Sequence, residues 1–201
     1  YRNIFGTDSL PYYARPLWSP DGTKIIFSRF AKKWELYSIN ADGSGFTQLV
    51  PGRVPSSYSW SSDGSKVVYT SDEADPGEYD LWIINPDGSN KTQLTFYGTQ
   101  GVAPSQPSFS PNGTIIAFVF NNLYANTSQI RTITVDGTDN FILGSTGTKN
   151  VNPVWSPDGS KIAFISNQSG SNELYMMDFN GSNITKLTSS SSIVKARVVG
   201  W

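Results

Sequence analysis

Short apolar runs recur along the chain, each bracketed by turn-forming residues. Lys24-Ile25-Ile26-Phe27, Lys66-Val67-Val68-Tyr69, Ile115-Ile116-Ala117-Phe118 and Lys161-Ile162-Ala163-Phe164 are equivalent. Each follows an aromatic residue and a turn: Trp18-Ser19-Pro20-Asp21-Gly22, Trp60-Ser61-Ser62-Asp63-Gly64, Phe109-Ser110-Pro111-Asn112-Gly113 and Trp155-Ser156-Pro157-Asp158-Gly159. The aromatic anchors step by 42, 49 and 46 residues. A second apolar run follows in each repeat, at 36–39, 81–84, 130–133 and 174–177, and ends at Asp42-Gly43, Asp87-Gly88, Asp136-Gly137 or Asn180-Gly181. Short closing segments come next, at 46–50, 91–95, 140–143 and 184–188. Runs this short, with Gly and Asp between them, predict strands rather than helices. Each repeat therefore reads as a meander of four strands, a to d.

The turns carry their own physics. Proline presets φ at the second position, Asp or Asn suits the third, and Gly accepts the left-handed fourth. A type I turn with a glycine bulge joins a to b. Four antiparallel strands in about 45 residues form the blade of a β-propeller. The pattern W-S-P-D-G-x-K-I-A-F, then L-Y, D-G-S-N and L-T, resembles the PD40 (WD40-like) repeat of TolB-type propellers over nearly the whole chain. It departs from that pattern mildly, at Ser62, Phe109 and Asn112.

The expected fold is all-β: one propeller domain spanning 1–201, with four complete four-stranded antiparallel blades at about 16–50, 57–96, 106–144 and 152–188. Residues 2–5 have the spacing of a lone outer strand, and 194–201 that of the start of a fifth blade, because Trp201 follows Trp155 by one period. The TolB resemblance implies a ring of six to eight blades, of which this is a portion that continues past Trp201. Trp18, Trp60, Phe109 and Trp155 are expected buried between blades, as large aromatics at fixed blade positions. The a–b and c–d turns should share one face. The other face carries the variable d–a and b–c loops, 71–80 among them, where a rigid scaffold usually places binding residues.

Composition narrows the chemistry. Charged residues are 15% and the net charge is −1, which argues against a basic nucleic-acid surface. No apolar run reaches membrane-spanning length. The chain has neither His nor Cys, so these residues hold no Ser-His-Asp triad, Cys nucleophile, or His- or thiolate-based zinc site. No cofactor is expected.

Loop aromatics and arginines are the binding candidates: Tyr13, Arg15, Trp34, Arg53, Tyr58, Tyr79 and Tyr97, with Tyr12, Phe96 and Tyr124 beside them. Asp72, Asp75 and Asp80 form a weak calcium candidate whose spacing matches no EF-hand. Six N-x-S/T sequons occur, and those at Asn90, Asn126, Asn167 and Asn183 fall where exposure is expected.

The TolB resemblance implies a non-catalytic scaffold that binds another protein. The expected partners are a protein, further copies of the chain, or a glycan. The expected location is extracellular, cell-surface or periplasmic. The competing readings are the propeller of a larger serine peptidase with its catalytic residues elsewhere, and a carbohydrate-binding module.

Overall fold

The computed structural model describes residues 12–30, 32–51, 57–98, 100–138, 140–144 and 149–189. Residues 2–5 and 194–201, read above as terminal strands, lie outside these. Among the described residues there is no helix, and sixteen strands form four antiparallel sheets of four. Blade 1 is β1 (Tyr12–Trp18), β2 (Lys24–Phe30), β3 (Trp34–Asn40) and β4 (Thr47–Val50). Blade 2 is β5 (Tyr58–Trp60), β6 (Val67–Asp75), β7 (Glu78–Ile84) and β8 (Thr92–Gln93). Blade 3 is β9 (Val102–Phe109), β10 (Ile115–Asn122), β11 (Thr127–Thr134) and β12 (Asn140–Leu143). Blade 4 is β13 (Asn150–Trp155), β14 (Lys161–Ser166), β15 (Glu173–Asp178) and β16 (Thr185–Lys186). In every sheet the strands lie in chain order, so each blade is the expected meander.

Three a strands begin earlier than their sequence suggests, at Tyr12, Val102 and Asn150. Pairing continues past a bulge. The ladder slips between Ala14 and Leu17 and between Val151 and Val154, and β9 slips at the equivalent place. The residue three before the anchor turns left-handed in each: Arg15 (φ 55), Gln106 (φ 52) and Asn152 (φ 55). One extra residue in an a strand thus re-aims the chain without ending the sheet.

The apolar core lies between the sheets. Ile26, Leu36, Leu49 and Val50 of blade 1 pack with Trp60, Val67, Tyr69 and Ile84 of blade 2. Equivalent clusters join blade 2 to blade 3 and blade 3 to blade 4. Polar contacts repeat across these seams. The indole N–H of Trp60 donates to the Leu17 carbonyl at 3.1 Å, and that of Trp155 to the Ser108 carbonyl at 3.1 Å. Each acceptor is the residue just before the anchor of the preceding blade. The N–H of Gln106 donates to Ser57 Oγ at 2.7 Å, and that of Asn152 to Gln106 Oε1 at 2.7 Å. The a–b turn glycines of blades 2, 3 and 4 also meet the second turn residue of the preceding blade. A Cβ at Gly64 would lie 3.5 Å from Pro20, and one at Gly159 would lie 3.5 Å from Pro111.

One expectation fails. Trp60, Phe109 and Trp155 are buried (8%, 8% and 5% exposed), but Trp18 is 60% exposed. The reason is directional: each anchor is covered by the blade before it, and among the described residues no blade precedes blade 1. Trp155→Ala should therefore destabilise the fold by about 3–5 kcal/mol, the range for a core aromatic. Trp18→Ala should stay within about 0.5 kcal/mol, as a surface change. Urea denaturation of the two variants measures the contrast; equal losses would refute the directional seam.

Candidate interaction face

Successive strands run in opposite directions, so a–b and c–d turns share one face and b–c and d–a connections share the other. The turn face is built by its own side chains. Ser19 Oγ donates to Asp21 Oδ1 at 2.6 Å, the Thr23 N–H donates to the same oxygen at 3.0 Å, and the Lys24 N–H donates to Ser19 Oγ at 2.9 Å. The same bonds recur at Ser61 and Asp63, at Ser110 and Asn112, and at Ser156 and Asp158. The Ser19 hydroxyl first, then the Thr23 N–H, holds the Asp21 carboxyl down to about 2. Asp158 is likewise held to about 2 by the Ser156 hydroxyl and the Ser160 N–H. A carboxylate so satisfied is a turn former, not an acid catalyst. Lysines then tie strand b to the c–d turn: Lys24 Nζ to Asn40 Oδ1 at 2.6 Å, Lys66 Nζ to Asn85 Oδ1 at 2.6 Å, and Lys161 Nζ to Asp178 Oδ1 at 2.8 Å.

On the opposite face the b–c connections are tighter than expected. Segment 71–80 is mostly strand, because β6 and β7 pair as far as Asp75 and Glu78 around Gly77 (φ 92). Its acids are used locally. Asp72 accepts from the Gly77 N–H at 2.9 Å, and Glu73 pairs with Lys91 at 2.6 Å. Asp80 is buried and accepts from Thr95 Oγ1 at 2.8 Å, the Tyr97 N–H at 3.0 Å and Gln93 Nε2 at 3.1 Å. Among the described residues no three acids come together to hold a metal, and the structure does not gather Asp72, Asp75 and Asp80 into such a group.

The binding candidates separate. Tyr58 is buried at the first seam, where its hydroxyl donates to the Arg15 carbonyl at 2.6 Å and accepts the Ser28 N–H at 3.0 Å; it is a structural residue. Tyr13 lies tilted against Phe27 in blade 1, centroids 5.7 Å apart. Arg15 sits in the β1 bulge. Tyr79 is half-buried within β7, and Tyr97 packs edge-on against Phe120 at 5.1 Å. Trp34 stays at a b–c tip beside Phe30, centroids 5.4 Å apart. Arg53 lies outside the described residues.

The largest apolar exposure on this face falls on residues given less weight by the sequence. Phe96 is 75% exposed, Leu123 62% and Tyr124 81%. Leu123 and Tyr124 form the b–c tip of blade 3, which rests on the connection leading into β9. The Leu123 N–H donates to the Gly101 carbonyl at 2.8 Å. The Tyr124 ring covers Gly101 so closely that a Cβ there would meet Cε2 at 2.2 Å. An apolar pair at a turn tip, Leu123-Tyr124 after Asn121-Asn122, was the signal available in the sequence.

Among the four sequons singled out, Asn90, Asn126 and Asn183 are exposed, with φ 52, 51 and 54, and Asn167 is half-buried. Asn167 accepts the Lys149 N–H at 2.8 Å through Oδ1, and Asn183 Nδ2 donates to Asp178 at 2.6 Å.

Residues 99–199, half of the chain, match the family PD40, TolB beta propeller domain. A TolB homolog from Chlorobium luteolum is 31% identical over 105 residues, covering 52% of this chain and 23% of that protein. Dipeptidyl-peptidase 5 from Porphyromonas endodontalis is 33% identical over 85 residues, covering 38% of this chain and 12% of that one. The solved structure of a putative TolB from Agrobacterium tumefaciens superposes with TM-score 0.68 at 24% identity, over 84% of this chain and 62% of that one. The matched segment therefore spans under a quarter of each of these two curated relatives.

The turn carboxylates predict an acid response. Their folded pKa is depressed, so their stabilising contribution is complete above the ordinary carboxylate value of 3.8 and is lost as pH falls toward about 2. Asp21→Asn with Asp158→Asn should keep the turns, as Asn112 does naturally, and shrink the fall in urea midpoint between about pH 6 and about pH 2.5. An unchanged fall would remove these carboxylates from the acid response.

Proposed function

The chain belongs to the PD40 family of TolB β-propeller domains, and from that premise we propose that it is a non-catalytic scaffold binding another protein on its loop face. The observation that carries this reading is the exposure of three large apolar residues, Phe96, Leu123 and Tyr124, in the loops of one face. Large apolar side chains held in solvent by tight turns are the residues that dominate protein interfaces. The opposite face supports it by contrast, since its carboxylates are spent on turn hydrogen bonds.

The absence of His and Cys supports a non-enzymatic role for these residues. The likeness to a dipeptidyl-peptidase keeps a second reading, in which the same loop face lines the approach to a catalytic domain carried by other residues. Export to the periplasm or cell surface completes the proposal and agrees with a cysteine-free chain of low charge.

Phe96→Ala with Tyr124→Ala should weaken binding of a protein partner by about tenfold or more, the scale of removing interface aromatics. The melting temperature should stay unchanged. Surface plasmon resonance against the partner captured by the wild-type chain reads the effect. Equal affinity of the double variant would reject this face. Hydrolysis of a peptide by the chain itself, abolished by changing one of its own residues, would reject the non-catalytic role.

A further inference from the structure

Phe96 stands in solvent between two residues that do not. Thr95 before it is buried, Tyr97 after it packs edge-on against Phe120 of blade 3, and Phe96 itself is 75% exposed. The site lies at the junction of blades 2 and 3, with a described blade on each side. A phenyl ring at the end of an outer strand gains by folding back onto apolar surface. Its place in solvent therefore depends on how the backbone on either side is held.

One carboxylate holds both sides. Regular pairing of β7 with β8 stops at Gln93, and the Leu94 N–H adds one more bond to the Leu81 carbonyl at 2.8 Å. Beyond that, side chains take over. Asp80 Oδ1 accepts from Thr95 Oγ1 at 2.8 Å and from the Tyr97 N–H at 3.0 Å, so the same oxygen grips the residue before Phe96 and the residue after it. Asp80 Oδ2 accepts from Gln93 Nε2 at 3.1 Å, and Gln93 Nε2 also donates to the Thr95 carbonyl at 2.9 Å. Asp80 is buried, so these bonds form away from competing water.

The blade itself does not demand this arrangement. At the equivalent position of blade 1, Glu35 accepts from the Tyr37 hydroxyl at 2.7 Å, and in blade 3 Gln129 accepts from Arg131 at 3.2 Å; both turn to their own strand. Blade 4 repeats the threonine: Thr188 Oγ1 accepts the Leu174 N–H at 3.0 Å and donates to Glu173. That pair supplies an internal control, because it closes strand d two blades away from Phe96.

We propose that Asp80 is a positioning residue for the loop face: by clamping residues 95 and 97 it presents the Phe96 ring to a protein partner. The inference rests on the reading of that face as a binding surface. Asp80 acts through Phe96 and need not touch the partner. Its effect is preorganisation, because a ring already held outward loses less freedom when a partner closes over it. Asp80→Asn keeps the shape but exchanges one acceptor oxygen for a donor, so a donor on Gln93, Thr95 or Tyr97 loses its acceptor. Thr95→Val removes one hydroxyl and keeps the side-chain volume.

Hydrogen exchange of the free chain tests the clamp without a partner, and a double-mutant cycle tests its use. The Tyr97 amide should exchange at least about tenfold faster in Asp80→Asn and in Thr95→Val, and at the wild-type rate in Thr188→Val. Each blade 2 variant should bind the purified partner that the wild-type chain captures about three- to tenfold more weakly, the scale of ordering one side chain. In a Phe96→Ala background the same changes should have no further effect, and Thr188→Val should leave affinity unchanged in either background. A merely destabilising role would instead weaken binding equally with and without Phe96. Wild-type exchange at Tyr97 in both blade 2 variants would overturn the clamp, whatever they do to binding. Faster exchange with no affinity loss, or with a loss that survives Phe96→Ala, would overturn the presentation of Phe96. Wild-type affinity of Phe96→Ala itself, with Tyr97 still exchanging faster in Asp80→Asn, would reject the loop face and with it the role of the clamp in binding.

Discussion

A blade cannot bury itself. Its four strands present two apolar faces, and a single sheet covers neither, so stability comes from the neighbour on each side. The seam between blades is therefore the constraint on which the rest depends. It sets where the aromatic anchors stand, why Tyr58 reaches back with its hydroxyl to the Arg15 carbonyl, and why the a strands bulge three residues before the anchor. The bulge places a backbone N–H of one blade against a side-chain oxygen of the previous one, as Gln106 does with Ser57 and Asn152 with Gln106.

Buried polar groups follow the same economy. Thr95 closes strand d of blade 2 by accepting the Leu81 N–H at 2.9 Å while donating to Asp80. Thr188 does the same in blade 4, between the Leu174 N–H and Glu173. These carboxylates sit out of water because each is fully hydrogen-bonded, which is the condition for burying such a group. One face of the propeller is thus spent on holding turns shut, and the other is left to vary.

Where the determinant is local, the sequence is legible. The Ser-Pro-Asp-Gly turn, the apolar run after it and the second Asp-Gly turn specify four strands per repeat, and the sheets follow them. Where the determinant is a neighbour, it is not. Trp18 and Trp155 read alike, yet one is exposed and the other buried, because burial belongs to the preceding blade. Tyr58 reads as a loop aromatic but fills a seam. Segment 71–80 reads as an acidic loop, yet cross-strand pairing carries it to Asp75 and Glu78. The left-handed residues at Arg15, Gln106 and Asn152 share no side-chain type, so no single-residue preference announces them. The loop face is half visible in the sequence: its aromatics stand out, but not which ones solvent reaches.

The seams also differ by one atom. Trp60 and Trp155 lock theirs with an indole N–H, whereas Phe109 packs the junction of blades 2 and 3 with no such donor. The four blades thus fall into two pairs, each tied internally through its anchor indole, while the middle junction relies on apolar packing at its anchor and on the Gln106 N–H to Ser57 Oγ bond. Shear between neighbouring blades meets a directional bond at the first and third junctions and only sliding apolar contact at this anchor of the second. At the level of the anchor, the middle junction therefore resists sliding by shape and packing, where its neighbours resist it by a directional bond.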